Sequence, residues 1–223
     1  YYKGNMGIRH AVIRFLVTAL SSNATELLLY SDEDINWMTD DQSFKQQWTL
    51  LMGLLIKKGV HIKIIHNIDR NIPEMIEAIN SWLPLYMSGM VSSFYSKQRN
   101  GNRFSHTLFV CPNVACIESF HAADENNILY EYHTDMEHIG YYTDMWHTMC
   151  ASSETLIRMQ TKNVYMNDDI PEDSYESNNI RISLKHSSVT ITRTAPPYAT
   201  FIILHPLMHE AFKSYLKEIN ESD

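Results

Sequence analysis

Apolar residues recur at Ile8, Ala11, Val12, Phe15, Leu16, Ala19 and Leu20, the i, i+3, i+4, i+7 spacing of one helical stripe. A docked helix is expected over residues 8–20. The next run, Glu26-Leu27-Leu28-Leu29-Tyr30, is continuous rather than alternating, which predicts a short strand buried on both faces. Ser31-Asp32-Glu33-Asp34 follows as a polar loop at its carboxyl end. Phe44, Trp48, Leu51, Met52 and Leu55 return to helical spacing and predict a helix over residues 44–58, stopped by Gly59. Residues 60–66 form the next strand. A crossover of this length requires the two strands to be parallel, with a right-handed connection.

Pro73 suits the first turn of a further helix running to about Trp82. Val91 to Tyr95 reads as extended and Asn100-Gly101-Asn102 as a turn. Residues 106–110 and 115–119 read as a hairpin joined at Pro112-Asn113. A short strand is expected at 128–133. A helix over 139–149 follows, with Tyr142, Met145, Trp146 and Met149 on one side. Composition then shifts: Asn167 to Asn179 is acidic and rich in breakers. This divides the chain into a domain at 1–162, a linker at 163–179 and a β-β-β-α appendage at 180–223. The appendage has strands at 181–185, 189–193 and 200–204, and a closing helix at 206–219 whose apolar face is Leu207, Ala211, Tyr215 and Leu216.

With 44% hydrophobic and 11% aromatic residues, the 223-residue chain has apolar surface enough for a substantial core, which argues against disorder. No apolar run is long enough to span a bilayer, since Arg9, His10, Arg14 and Thr18 interrupt the first one. The formal charge of -8 argues against a general phosphate-seeking surface for nucleic acid. Cys111, Cys116 and Cys150 are too few and too irregular for a disulfide framework or a paired metal motif. A soluble protein of the reducing cytoplasm is expected, without membrane association. The start at Tyr1-Tyr2-Lys3-Gly4, without Met, suggests a piece of a longer protein whose output domain lies outside this chain.

The chemically distinctive segment runs from Arg103 to His121 and contains His106, Leu108, Asn113 and Glu118-Ser119. It resembles a damaged phospholipase D-like active site. The intact motif of that superfamily is His-x-Lys-x4-Asp on a buried strand, followed by Gly-Ser-x-Asn. Here Leu108 stands in the lysine slot, Asn113 in the aspartate slot and Glu118-Ser119 in the Gly-Ser slot. The resemblance covers about residues 26–156. It is supported by Leu28 to Asp32, by Lys58-Gly59-Val60 leading to Ile64, and by Glu131 followed by Trp146.

That resemblance implies an α/β fold: half of a phospholipase D-like unit, with a mixed sheet flanked by helices, plus the small C-terminal α+β appendage. In the superfamily two halves bring two histidines together across a phosphoryl group. No internal repeat is visible, so a second half would come from a partner copy, and a homodimer is expected. Leu108 cannot stabilise a phosphoryl transition state as a lysine does, and Asn113 cannot orient an imidazole as a carboxylate does. No catalytic residue and no cofactor is therefore expected. Degenerate domains of this kind are similar to the effector-sensing C-terminal regions of bacterial helix-turn-helix transcriptional regulators. The wording of Asp32 to Trp37, Ile64 to Arg70 and Trp82 to Tyr86 is similar to such regions. The implied function is a non-catalytic sensor or regulatory domain, contacting DNA only through a domain absent from this chain.

Ligand sites in open α/β sheets lie outside the carboxyl ends of the strands. That rule selects Ser31, Asp32, His66, Asp69 and Arg70, joined from the hairpin side by Tyr95, His106, Ser119 and His121. Together they would suit a small polar or anionic ligand. The competing structural roles are helix caps for Asp32 and Asp69 and a satisfied core histidine for His106. No metal site is expected. His205 and His209 have helical ligand spacing, but Pro206 replaces the expected glutamate, and His133, Asp135, Glu137 and His138 read as a solvated loop or helix start.

Two alternatives stand beside the sensor. One is a phosphodiesterase with a rearranged motif, using His106 together with His61 or His121 converging on one cavity. The other is a protein-interaction module. The near-motif His61-x-Lys63-x5-Asp69 is read as the polar side of a half-exposed strand.

Overall fold

The computed structural model describes residues 1–33, 36–66, 82, 85–86, 88–96, 104–122, 127–163, 174–177, 180–185, 188–195, 198–204, 213–214 and 217, with side chains described only up to residue 157 and at the last three. The expected helix after Pro73, the turn at 100–102 and the closing helix at 206–219 fall largely or wholly outside those residues. So do Asp69 and Arg70. The chain divides into two units, Tyr1–Asp69 with Met90–Glu154, and Arg70–Gly89 with Thr155–Asp223.

In the first unit, a short strand β1 (Tyr2–Lys3) leads into α1 (Gly4–Ser21), β2 (Glu26–Ser31), α2 (Asn36–Thr39), α3 (Gln42–Lys57), β3 (His61–His66) and β4 (Val91–Ser96). Then come β5 (Phe104–Cys111), β6 (Ala115–Ala122), β7 (Leu129–His133) and α4 (Met136–Ala151). The sheet order is β1-β7-β6-β5-β2-β3-β4. As the β-α-β reading requires, β2 and β3 are parallel, and β4 continues parallel to β3. On the other side of β2, strands β5, β6, β7 and β1 pair antiparallel. The fold is α/β with a mixed sheet flanked by helices.

Helices cover both faces, which explains the unbroken apolar run of β2: residues Leu27 to Tyr30 are all buried. On one face α4 delivers Ile139 and Trp146 into a core with Leu28, Tyr30, Ile65, Leu108, Val110 and Cys116. On the other, α1 buries Ile8, Ala11, Val12, Phe15 and Leu16, and Trp37 of α2 packs its ring 6.4 Å from Phe109. Asp41 starts α3 by accepting from the Phe44 amide at 3.0 Å. Gly59 ends it at φ +90. Lys58 reaches back to the carbonyls of Leu20 and Ser22, satisfying the carboxyl end of α1.

The hairpin joining β5 and β6 turns at residues 112–114, where Val114 N–H donates to the Cys111 carbonyl at 3.0 Å. Asn113 there has φ +62, in the left-handed region that Asn tolerates and β-branched residues do not. Asn113→Val is expected to destabilise the unit by about 1–2 kcal/mol, and Asn113→Gly to be neutral or slightly stabilising. Urea denaturation of the pair measures this; equal midpoints would show that the turn imposes no such requirement.

The second unit differs from the β-β-β-α reading. Residues 153–163 form a strand, β8 (Ser153–Asn163), in a stretch for which no element was expected. The stretch expected to be a linker contains another, β9 (Ser174–Ser177). These join β10 (Ile180–Lys185), β11 (Ser188–Ala195) and β12 (Tyr198–Leu204) in an antiparallel order β8-β12-β11-β10-β9. Strand pairing here overrides a composition rich in breakers, because a short strand needs only a partner's backbone. Trp82, Leu85 and Tyr86 of this unit are buried. No helix among the described residues is long and apolar enough to cross a membrane.

Candidate functional site

Register decides which polar side chains meet. Ser31 is the partner of His66 on one side and of Thr107 on the other; His66 pairs with Tyr95, and Thr107 with Ser119. Directly paired residues share a face, so these five form one transverse row near the carboxyl ends of β2 and β3. Tyr130, next to the last paired residue Glu131 of β7, falls by alternation on the same face. Glu33 and His121 lie beside it on the same face, two residues along from Ser31 and Ser119. Four of the expected residues, Ser31, His66, Tyr95 and Ser119, thus fall in the row and a fifth, His121, adjoins it.

Asp32 and His106 do not join them. Alternation sends them to the opposite face, where His106 packs edge-on against Tyr30 and Phe120, with ring centroids 5.8 and 6.0 Å away. Nor is Asp32 a helix cap. Its carboxylate accepts from the His106 amide at 2.6 Å and from the Tyr30 hydroxyl at 3.0 Å, tying β2 to the start of β5. Among the described residues, the helix-capping aspartates are Asp41 and Asp135.

At the centre is a residue that sequence reasoning passed over. Glu33 is buried, its carboxylate accepting from the hydroxyls of Thr107 and Tyr130, each at 2.6 Å. Thr107 spends its only proton on Glu33, so at 2.8 Å it accepts from Ser31, and the hydroxyls relay toward the carboxylate. Burial, followed by the charge of Glu33, drives the Tyr130 hydroxyl well above its ordinary pKa and keeps it a donor. Only the period-two alternation of β5 and β7 could have pointed to Thr107 and Tyr130, and nothing local distinguishes Glu33 from its acidic neighbours.

Two groups in this network are unsatisfied. Ser119 Oγ is buried without a hydrogen-bond partner. His121 Nε2 lies 3.2 Å from Glu33 Oε1, within ion-pair distance but too poorly aligned to count as a hydrogen bond, and it too is buried and unpartnered. The other ring nitrogen of His121 sits 2.9 Å from the Ala122 carbonyl. Neither nitrogen serves Ser119, so Ser119 and His121 do not form a nucleophile and base pair. Buried polar groups in native proteins are nearly always paired, and two orphans side by side mark a place where a water or ligand atom belongs. At the far end of the row, the Tyr95 hydroxyl donates to Glu154 at 2.7 Å, and burial with that carboxylate pushes its pKa up to about 12.

Leu108 and Asn113, the residues compared above with a motif lysine and aspartate, have structural roles. Leu108 is fully buried in the core beneath α4, and Asn113 occupies the hairpin turn at the other end of β5 from His106. His61 is exposed at the amino end of β3, and Lys63 pairs with Glu26 at 2.7 Å. All three cysteines are free, and burial pushes the Cys111 and Cys116 thiols up to about 12, leaving them unreactive near neutrality.

Burial holds the His106 imidazole below its ordinary range, against the opposing pull of Asp32 and Glu33. Protons therefore bind the unfolded chain more readily. The contribution of neutral His106 is fully present above about pH 6.5 and is lost as pH falls through the lower folded-state value. His106→Phe keeps the ring contacts and the backbone bond to Asp32. Its stability should fall less than that of the unmodified chain between about pH 7 and about pH 5. Parallel pH profiles in chemical denaturation would remove His106 as a source of acid sensitivity.

No family model matches the chain, and no curated protein matches it.

Proposed function

We propose that this chain is a non-catalytic ligand-sensing domain, built on half of a phospholipase D-like fold, acting as a homodimer to control an output module such as a DNA-binding domain. The observation carrying this reading is the transverse polar row with its buried Glu33 and the orphaned Ser119 and His121 beside it. Catalysis is disfavoured by Leu108 being core and by His106 and His121 lying on opposite faces, so these two imidazoles do not converge on one cavity. His61 is remote, at the amino end of β3.

Glu33 also sets the ligand's chemistry. A buried carboxylate repels an anion and favours a neutral or cationic molecule that presents hydrogen-bond donors. A panel of small amines, polyols and amino acids, with inorganic phosphate as the anionic control, can be screened by thermal shift. Donor-bearing compounds should raise the melting temperature of the chain. Glu33→Gln and Ser119→Ala should abolish that response, and the latter should leave the unliganded protein close to its original stability, because it deletes an unpaired hydroxyl. Stabilisation by phosphate alone would reverse the ligand assignment. Phosphodiester hydrolysis that vanishes in His106→Ala would sink the non-catalytic reading, and a monomer in sedimentation would remove the dimer.

A further inference from the structure

A second polar cluster lies on the opposite face, where β7 hands over to α4. His133 ends the strand, Asp135 caps the helix and His138 sits in its first turn. The imidazoles of His133 and His138 stack with centroids 4.5 Å apart and planes within 7°. Asp135 lies between their Nδ1 atoms, Oδ1 at 2.6 Å from His138 and Oδ2 at 3.9 Å from His133. One donor atom from each of the three falls within 4.8 Å of the others. Two ligands sharing an ion at about 2.1 Å can be at most about 4.2 Å apart, so small rotations of the exposed Asp135 and His138 close the set.

Helix capping accounts for Asp135 and His138 but not for the rest. The side chain of His133 is only 15% exposed, and its Nε2 is buried without a hydrogen-bond partner, 3.5 Å from Glu131 Oε2. A carboxylate behind one ring nitrogen with the other turned toward a shared point is how metal-binding histidines are oriented. Glu131 in turn stands directly opposite Glu118 across β6 and β7. A like-charged cross-strand pair destabilises the sheet, and a nearby cation would offset it. Burial and the charge of Glu131 already raise the Glu118 pKa.

We infer that His133, Asp135 and His138 bind a borderline divalent cation of the zinc and nickel class, with Glu131 orienting His133. Two imidazoles and one carboxylate suit that class better than calcium or magnesium, which prefer oxygen ligands alone. Three protein ligands leave room for water to complete the shell.

The test is calorimetric titration of the chelator-treated chain with zinc at neutral pH. One saturable site in the micromolar range or tighter is expected. His138→Ala, at an exposed position that leaves the core untouched, should lose it, as should Asp135→Asn, which preserves the helix cap. Glu131→Gln should weaken it by about 10-fold. The double change His205→Ala, His209→Ala should leave it intact. Unchanged binding in His138→Ala, loss in the His205 and His209 variant, or no saturable binding in the unmodified chain would each overturn the assignment.

Discussion

Trp146→Ala should lower the unfolding free energy of the first unit by about 3–5 kcal/mol, the largest single effect expected in the described residues. Trp146 is fully buried at the centre of the core between α4 and the sheet, and its indole N–H donates to the Leu29 carbonyl at 3.2 Å. Truncation leaves a cavity lined by Leu28, Ile65, Leu108 and Ile139, and the surrounding strands cannot collapse into it without losing register. Trp146→Phe retains most of the volume and should cost roughly half as much. Far-UV circular dichroism in urea is the suitable measurement, because removing the tryptophan alters the fluorescence signal. With two units in the chain, the first transition must be fitted separately. A loss below about 1 kcal/mol would mean that α4 is not docked as described.

Glu33→Ala should cost about 2–4 kcal/mol for a different reason. Its carboxylate is the acceptor for Thr107 and Tyr130, and deleting it leaves two buried hydroxyls and His121 facing a void. Glu33→Gln retains an acceptor oxygen, and the hydroxyls can rotate to accept from the new amide, so about 1 kcal/mol is expected there. The contrast separates the need for an acceptor from the need for a charge. If alanine and glutamine cost the same, an acceptor oxygen at this position does not by itself sustain the hydroxyl network. If neither costs more than about 0.5 kcal/mol, Glu33 is not buried in solution and the proposed site fails with it.

The stability and ligand-binding results bear on each other. A ligand donating to the Glu33 region stabilises by mass action only if the native network is formed, so Glu33→Gln, which folds, is the informative variant for binding. Ser119→Ala serves the same purpose at the orphaned hydroxyl.

Much of the fold was legible from spacing. The stripe from Ile8 to Leu20 became α1, the run at Leu27 to Tyr30 became the buried central strand, and Gly59 ended α3. Those features depend on neighbours a few residues away, which is where sequence patterns carry information. Residues 153–163 were not legible as a strand because their pairing comes from a distant segment, residues 198–204, and residues 174–177 because their local composition favours turns. The site was half legible. The rule of strand carboxyl ends selected Ser31 and His66, which the register sets side by side, while Asp32 and His106, selected with them, are sent to the other face by the pleat.

The sequence by itself determined the α/β class and the parallel β-α-β unit. Only the tertiary structure decided that Glu33, Thr107 and Tyr130 meet, and that His133 stacks on His138. Contacts between strands depend on register, and a shift of one residue exchanges every side chain between the faces of a sheet, so no local pattern could have fixed them.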